Sequence, residues 1–272
     1  MRLEHHVAPY LLDPQNPIKV LLVGCGGNGS QMLNGLARMH VALRGLGHPG
    51  FHVVAVDPDT VSKANLGRQP FAESDVGQHK TTVLITRLNR FFGLEWTGVP
   101  LLFGKALIKH NRSELAQYIL NSNLVITCVD SAQARLEASK VIKKISRGFY
   151  HLDLGNTRDT GQIILATIKS IKQPAKKGFS PTLPSLVDLW PNLLAADNEE
   201  DQGPSCSLVE ALSRQDLFVN STLSNLALDI LWKMFSDLKL TIHGAFMNLK
   251  RMQVSPLWID PEGWKRMKAA NA

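Results

Sequence analysis

Cysteine is scarce in this sequence, with Cys25, Cys128 and Cys206 the only thiols among 272 residues. Three thiols cannot make a disulfide framework, and without a Cys-x-x-Cys pair they cannot build a four-thiolate zinc centre. No structural zinc is therefore expected. Long hydrophobic runs are missing too. No stretch approaches the roughly 20 consecutive apolar residues of a membrane span, and Met1 to Leu12 contains no cleavable apolar core. A cytoplasmic protein without membrane contact is the expectation. Aromatic residues are few, at 7%. The small basic groups, such as Lys143, Lys144 and Arg147, are not interleaved with stacking rings, which argues against nucleic-acid binding despite a net charge of +7. His5 and His6 are expected to be solvated, as adjacent histidines in a terminus usually are.

What is present is an ordinary globular composition, 44% apolar and 19% charged. The run from Ile18 to Val23 is short, apolar and bounded by Pro17 and glycines, the pattern of a strand buried on both faces. Apolar residues from Ser30 to Leu43 recur at helical spacing, and Phe51 to Asp57 reads as a second buried strand. The alternation continues with a helix over Gly77 to Phe92, a strand over Val99 to Phe103, a helix over Ser113 to Leu120 and a strand over Leu124 to Val129. A helix over Ala132 to Ile145 and strands over Tyr150 to Leu154 and Gln162 to Ile168 follow. Such alternation predicts an α/β fold, a Rossmann-like, doubly wound, mainly parallel sheet with helices on both faces.

From 169 to 206 the chain is rich in proline and carries the acidic residues Asp197, Glu199, Glu200 and Asp201, so a long flexible crossover is expected there. Residues 207–272 read as C-terminal helices, over Ser207 to Arg214 and Val219 to Phe235, and one last strand within Ala245 to Val254. The whole chain, 1–272, is expected to work as a single domain around a nucleotide-binding core at 18–168.

The motif Gly24-Cys25-Gly26-Gly27-Asn28-Gly29-Ser30 joins the first strand to the first helix. Glycines there let a backbone approach a phosphate, and the helix N-terminus offers free N–H groups and a positive dipole end. Asp57, at the next strand end, suits any adenosine ribose held in a Rossmann-type crevice, including those of NAD, FAD and S-adenosylmethionine. The following loop is more specific. Asp59, Asn65, Arg68, Gln69 and Lys80 lie in a dense polar stretch, where Arg and Lys would neutralise charge on phosphate oxygens and hydride transfer has no evident need of them. Asp130 ends a strand and could hold magnesium; its bland alternative is a helix cap.

The ordered series GCGGNGS, DPDTVSKANLGRQ, DVGQHK and ITCVD, spanning Ile18 to Ile168, resembles the ThiF/MoeB superfamily of adenylating enzymes related to ubiquitin-activating enzyme. The later segment GPSCSLVEALSRQDLFVN resembles the PRTRC-system ThiF proteins of bacterial mobile elements. The resemblance implies ATP-dependent adenylation of a carboxylate, usually the C-terminal glycine of a ubiquitin-like or sulfur-carrier protein, with release of pyrophosphate. It also implies roles. Asp57 would bind ribose, Gly26 and Gly29 would approach the nucleotide, Asn65, Arg68 and Lys80 would hold phosphates, Gln69 would support them, and Asp130 would serve Mg2+ and the reacting centre. Pro204-Ser205-Cys206 is similar to the segment around the thioester-forming cysteine of ubiquitin-activating enzymes, and Ser207 with Glu210 reads as a capping box that would favour a Cys206 thiolate. Cys25 reads as a small residue among glycines and Cys128 as core.

Two departures qualify the resemblance. The paired Cys-x-x-Cys zinc motif of many relatives is missing. The family's N-terminal arginine segment, which reaches a partner subunit's nucleotide, is replaced by Met-Arg-Leu-Glu-His-His, with Arg2 a poor substitute, and this weakens the expectation of a homodimer. Other readings stay open at this level: adenylation of a small molecule or RNA base, or a non-catalytic nucleotide-binding scaffold of a plasmid system.

Overall fold

The computed structural model describes residues 2–105, 107, 113–145, 147–190, 192 and 215–270. The chain begins with a short strand β1 (His5–His6) and a single helical turn α1 (Pro9–Leu12). Then come β2 (Ile18–Val23), α2 (Gly27–Gly45), β3 (Phe51–Val56), α3 (Lys80–Phe92), β4 (Thr97–Val99) and α4 (Glu114–Leu120). They are followed by β5 (Leu124–Thr127), α5 (Ala132–Ile142), β6 (Tyr150–Asn156), β7 (Thr160–Thr167) and α6 (Leu186–Leu189). The last elements are α7 (Val219–Ser236), β8 (Lys239–Leu240), β9 (Ile242–Asn248), β10 (Gln253–Trp258) and α8 (Pro261–Ala270).

Eight strands make one sheet in the order β10-β9-β7-β6-β5-β2-β3-β4. The five strands from β6 through β4 pair in parallel, and β7, β9 and β10 extend the sheet antiparallel. Side chains alternate across the central strands with the two-residue period of a pleated strand. On β2, Val20 and Leu22 join Met32, Leu33 and Leu36 of α2 and Leu223, Ala227 and Leu231 of α7 on one face. Leu21 and Val23 join Ile119 of α4 and Ala138, Val141 and Ile142 of α5 on the other. Both faces are therefore covered, which is why these strands read as continuous apolar runs. The α/β Rossmann-like architecture expected from the alternation is the one observed.

Helices α2 and α7 pack unusually close. A Cβ on Gly35 would lie 2.0 Å from Leu228 Cδ1, and Ser224 Oγ donates to the Asn28 carbonyl at 3.2 Å. The close approach brings the start of α7 to the glycine-rich turn.

Several expectations are corrected. His5 is not solvated but fully buried. Its Nδ1 donates to the Ser180 carbonyl at 2.6 Å, which leaves Nε2 to accept from the Tyr150 hydroxyl at 2.8 Å. Those bonds pin the N-terminal strand to the sheet. Arg2 stacks its guanidinium 3.6 Å from the Trp258 ring centroid of its own chain. The stretch expected to be a flexible crossover is anchored over its first part, where Ile171, Ser180, Leu183, Leu186 and Leu189 are buried; residues 193–206, and the helix expected over Ser207 to Arg214, lie outside the described residues. The single last strand is in fact the antiparallel pair β9 and β10, turned between Asn248 and Gln253, and helix α8 follows it. An apolar run interrupted by Lys250 and Arg251 is a hairpin because charged residues suit its exposed turn.

Burial also has a pH consequence. His243, on β9, hydrogen-bonds the Leu165 carbonyl at 2.9 Å through Nδ1, and burial holds its imidazole down to about 4. A folded value below the ordinary 6.5 means that the unfolded chain takes the proton more readily. The stabilisation from keeping His243 neutral is thus complete above about pH 6.5 and falls away towards pH 4, by about 3 kcal/mol in all. Urea unfolding at pH 7.5 and pH 5 should show this loss, and His243→Gln should flatten it; equal pH dependence in both proteins would place the loss elsewhere.

Candidate functional site

Strands β2 and β5 are neighbours, yet α2 leaves β2 towards one face of the sheet and α5 leaves β5 towards the other. Such a switch point opens a crevice at the carboxyl ends of the strands, where ligands bind in open α/β sheets. The strand ends are level there. Gly24 N–H donates to the Val56 carbonyl at 2.9 Å and Cys128 N–H to the Val23 carbonyl at 2.8 Å.

The glycines of the turn do different jobs. Gly24 has φ +90, and a Cβ on it would stand 2.6 Å from the Cys128 carbonyl oxygen. A Cβ on Gly29 would lie 1.8 Å from the Gly24 carbonyl oxygen, and one on Gly27 would lie 2.3 Å from Asn220 Nδ2. These three are glycine because protein already fills the space. Gly26 is different, since a Cβ there meets nothing within 4 Å. It is also the N-cap of α2 and offers no side chain, so the helix's first N–H groups have no side-chain cap. The missing side chain at Gly26 keeps open a space beside free backbone donors, which is the requirement of a phosphate cradle. Gly26→Val is accordingly expected to fold with near wild-type stability and to lose at least tenfold in nucleotide affinity, whereas Gly29→Val should fail to fold normally. Calorimetry and thermal unfolding of the two variants check this.

Asp57 follows β3 and is buried. Its Oδ2 accepts the Cys25 N–H at 2.5 Å and its Oδ1 the Asp59 N–H at 2.8 Å, so the carboxylate ties the glycine turn to the next loop. Burial pushes its carboxyl up, opposed by these bonds and by the nearby Lys80 charge. The Cys25 thiol is driven well above its ordinary range by burial and then by the Asp57 charge, so it stays a neutral small residue. Lys80, the first residue of α3, is buried with its ammonium 2.8 Å from Asp59 Oδ2, whose side chain is 61% exposed.

The loop between Asp57 and Lys80 is built from its own bonds. Lys80 N–H donates to the Asp59 carbonyl at 3.0 Å and Val61 N–H to the Gln78 carbonyl at 2.8 Å, while Val61 and Phe71 are buried. Asp75 pairs with Arg87 of α3. Asn65 spends its Oδ1 on Ser62, accepting from N–H at 2.9 Å and from Oγ at 3.2 Å. Gln69 is buried with an Oε1 that has no hydrogen-bond partner among the described residues. Arg68 is half-buried; its NH1 donates to Gln215 Oε1 at 2.6 Å and its Nε to the Ala64 carbonyl at 3.4 Å. Burial lowers its guanidinium, with no carboxylate among the described residues opposing it.

Gln215 and Asn220 were not singled out from the sequence. Asn220 Nδ2 donates to Gln215 Oε1 at 3.0 Å, so one amide oxygen joins Arg68 to the helix that sits over Gly27. Asn28 Nδ2 donates to Asn156 Oδ1 at 2.8 Å across to the end of β6. Uncharged amides at a helix start carry no motif, and only the packing of α7 on α2 makes them part of this site.

Asp130, two residues past Cys128, is exposed. The bland reading of it as a cap is overturned, because Ser131 is the N-cap of α5 and its side chain accepts the Ala134 N–H at 3.2 Å. Its loop is held from below. Arg135 and Asp153 form a buried ion pair at 2.5 Å, and Arg135 NH2 donates to the Val129 carbonyl at 2.6 Å. Thr127 Oγ1 donates to Asp153 Oδ1 at 2.5 Å, so it accepts from His151 Nε2 at 2.8 Å. Cys128 packs under Gly29, and its thiol is pushed up by burial. The structure thus ties Asp57, Asp59 and Lys80 to the glycine turn through a chain of contacts and links Arg68 to it only through Gln215 and Asn220, with Asp130 in the loop that follows the adjoining strand. Cys206 lies outside the described residues. Among the described residues no group of three or more His, Cys, Asp or Glu could hold a metal ion, and no helix is long and apolar enough to cross a membrane.

Comparison with known proteins fits this geometry. The NEDD8-activating enzyme E1 catalytic subunit of Dictyostelium discoideum is 28% identical over 61% of this chain and 32% of its own length. The chain therefore spans about a third of that curated relative. Among solved structures, PaaA superposes with a TM-score of 0.58 at 15% identity, covering 89% of this chain and 73% of its own. E. coli MccB crystallised with MccA gives 0.56 at 17% identity over 89% of this chain and 63% of its own. MccB with AMPCPP and MccA gives 0.57 at 16% identity over 90% and 65%. These structural likenesses show the fold. The ThiF family profile matches residues 14–254, a span holding the glycine turn, the polar loop, Asp130 and the start of α7, and the chain belongs to the ThiF family.

Proposed function

We propose that this chain adenylates a carboxylate with ATP, the carboxylate being the C-terminal glycine of a ubiquitin-like or sulfur-carrier protein. The observation that carries the reading is Arg68. A half-buried guanidinium whose partners among the described residues are neutral, joined through Gln215 and Asn220 to the helix over Gly27, is short of an anion, and a triphosphate supplies one. The name of the NEDD8-activating relative, and the structures of MccB with MccA and AMPCPP, support a protein or peptide substrate and an ATP-type nucleotide.

In this reading the turn from Gly24 to Gly29 receives the phosphates, with Gly26 offering the closest approach. Asp57 orders the turn, and its carboxylate lies where a ribose hydroxyl could still donate. Arg68 and Lys80 hold the phosphate oxygens, while Asn65 and Gln69 keep their loop in shape. A carboxylate oxygen of the substrate attacks the α-phosphorus, the acyl–oxygen–phosphorus bond forms, and the bond to the leaving pyrophosphate breaks; no proton moves. The step brings two anions together, so fixed positive charge lowers its barrier. Asp130 is the exposed carboxylate that would hold Mg2+, which would neutralise the phosphates.

The finer parts belong to the same proposal. Cys206 takes the acyl group as a thioester, its thiolate attacking the acyl carbon of the adenylate and displacing AMP; the chain acts as one domain of the PRTRC-system type, around a core at 18–168, with 169–206 as its crossover and 207–272 completing it; and it works in the cytoplasm. The test is calorimetric titration with ATP and magnesium beside NAD and S-adenosylmethionine, for wild type and Asp130→Ala. Saturable ATP binding that weakens in the variant supports the reading, and pyrophosphate exchange stimulated by a Gly-ending partner completes it. Binding of NAD or S-adenosylmethionine with no response to ATP would sink it.

A further inference from the structure

Four surface lysines of this protein pair with a carboxylate: Lys140 with Glu137, Lys233 with Asp229, Lys239 with Glu4 and Lys265 with Glu262. Other cations gather at the far end of the sheet. A cavity of about 1040 Å³ opens at the amino ends of β2, β5 and β6, lined by Lys19, Arg147, Lys169 and Lys172 together with Tyr10 and Phe149. Among the described residues no Asp or Glu lines it. Among the described residues Lys19, Arg147 and Lys172 have no carboxylate partner.

The cluster is assembled from distant parts of the chain. Lys19 comes from the start of β2, Arg147 precedes β6, and Lys169 and Lys172 follow β7. Asn123 Oδ1 accepts the Lys19 N–H at 3.0 Å, and Phe149 N–H donates to the Asn123 carbonyl at 2.8 Å, so the strand starts that carry the cavity are fixed to one another. Tyr10 stacks on Phe149 with ring centroids 5.7 Å apart and planes 24° apart, and it remains 44% exposed. Lys19, Arg147 and Lys172 on one concave wall focus positive potential, and a rigid, partly exposed ring offers a stacking face. Lys19, Arg147 and Lys172 have no carboxylate partner among the described residues, and an anionic ligand would supply the counter-charge.

We propose that this cavity is a second ligand site that takes a phosphorylated aromatic ring, with the ring stacked on Tyr10 and the phosphate among Lys19, Arg147 and Lys172. Its volume matches the upper end of small-molecule sites, roughly 300–1,000 Å³. It lies at the opposite end of the strands from the glycine turn, so it is independent of the nucleotide reading above. The phosphorylated ring can be a free nucleotide or one nucleotide of an RNA strand, since aromatic platforms beside cations serve both.

The test titrates the full chain with 1-naphthyl phosphate, following its fluorescence, with inorganic phosphate and 1-naphthol as the anion and the ring alone. Binding should saturate at one site and be at least tenfold tighter than for either part. Lys19→Glu with Lys172→Glu should weaken it at least tenfold, as should Tyr10→Ala, while Arg68→Ala leaves it unchanged; thermal unfolding confirms that these exposed substitutions keep the fold. Competition by a uridine pentanucleotide more tightly than by uridine monophosphate assigns the site to RNA, and the reverse order assigns it to free nucleotides. Failure of naphthyl phosphate to bind, equal binding of inorganic phosphate, or loss in Arg68→Ala with retention in the lysine double variant would overturn the proposal.

Discussion

Arg68→Ala is expected to lower ATP-dependent adenylate formation by about 10²–10³-fold, the usual cost of removing one fixed donor from developing charge. The same substitution should leave folding stability unchanged or slightly raised. Arg68 is half-buried, and its partners, the Gln215 amide and the Ala64 carbonyl, are neutral. A desolvated cation without a counter-charge costs the folded state free energy that only a bound anion offsets. Opposite signs for activity and stability are the signature of a residue kept for its ligand. Pyrophosphate exchange and urea unfolding measure the two. A clear loss of stability with little loss of exchange would make Arg68 a structural residue and remove the main support for the adenylating site. Gln215→Ala should follow in the same direction with a smaller effect, because it removes the group that orients the guanidinium.

The second large effect lies beneath Asp130. Either Arg135→Ala or Asp153→Ala leaves the other charge buried alone, and such a loss costs about 3–5 kcal/mol. Arg135→Met with Asp153→Leu should cost less than either single change, because an apolar pair strands no charge. The double variant should still bind nucleotide poorly. Arg135 also holds the Val129 carbonyl, and with it the short link to Asp130. Denaturant unfolding of the three variants, with ATP titration of the double one, measures both parts. Single changes costing under about 1 kcal/mol would show that the pair is not the support described.

Much of this was legible along the chain. The strands β2, β3 and β5 are continuous apolar runs, buried on both faces, and local composition is enough to mark them. The glycine turn and the polar loop from Asp57 to Lys80 are contiguous motifs, so their chemistry is read from residues close in sequence. Asp130 was expected at the end of a strand, but β5 ends at Thr127 and Asp130 lies in the loop beyond it; that Asp130 is not a cap depended on Ser131 taking the capping bond. His5 was misjudged because nothing in a terminal His-His pair reveals that Tyr150 and Ser180 wait for it.

The sequence by itself determined the alternation of strands and helices, the position of the glycine turn at a helix start, and the identity of the cations beside it. These depend on periodicity and on residue types within a few positions of one another. The tertiary structure alone decided which glycine faces open space, that Gln215 and Asn220 join Arg68 to the glycine turn, and that Arg135 and Asp153 hold the Asp130 loop. It also drew Lys19, Arg147, Lys169 and Lys172 around Tyr10, where composition had shown only scattered charge. Each of these joins residues far apart in the chain, and such contacts are fixed by how the helices pack on the sheet and by the order in which the strands pair.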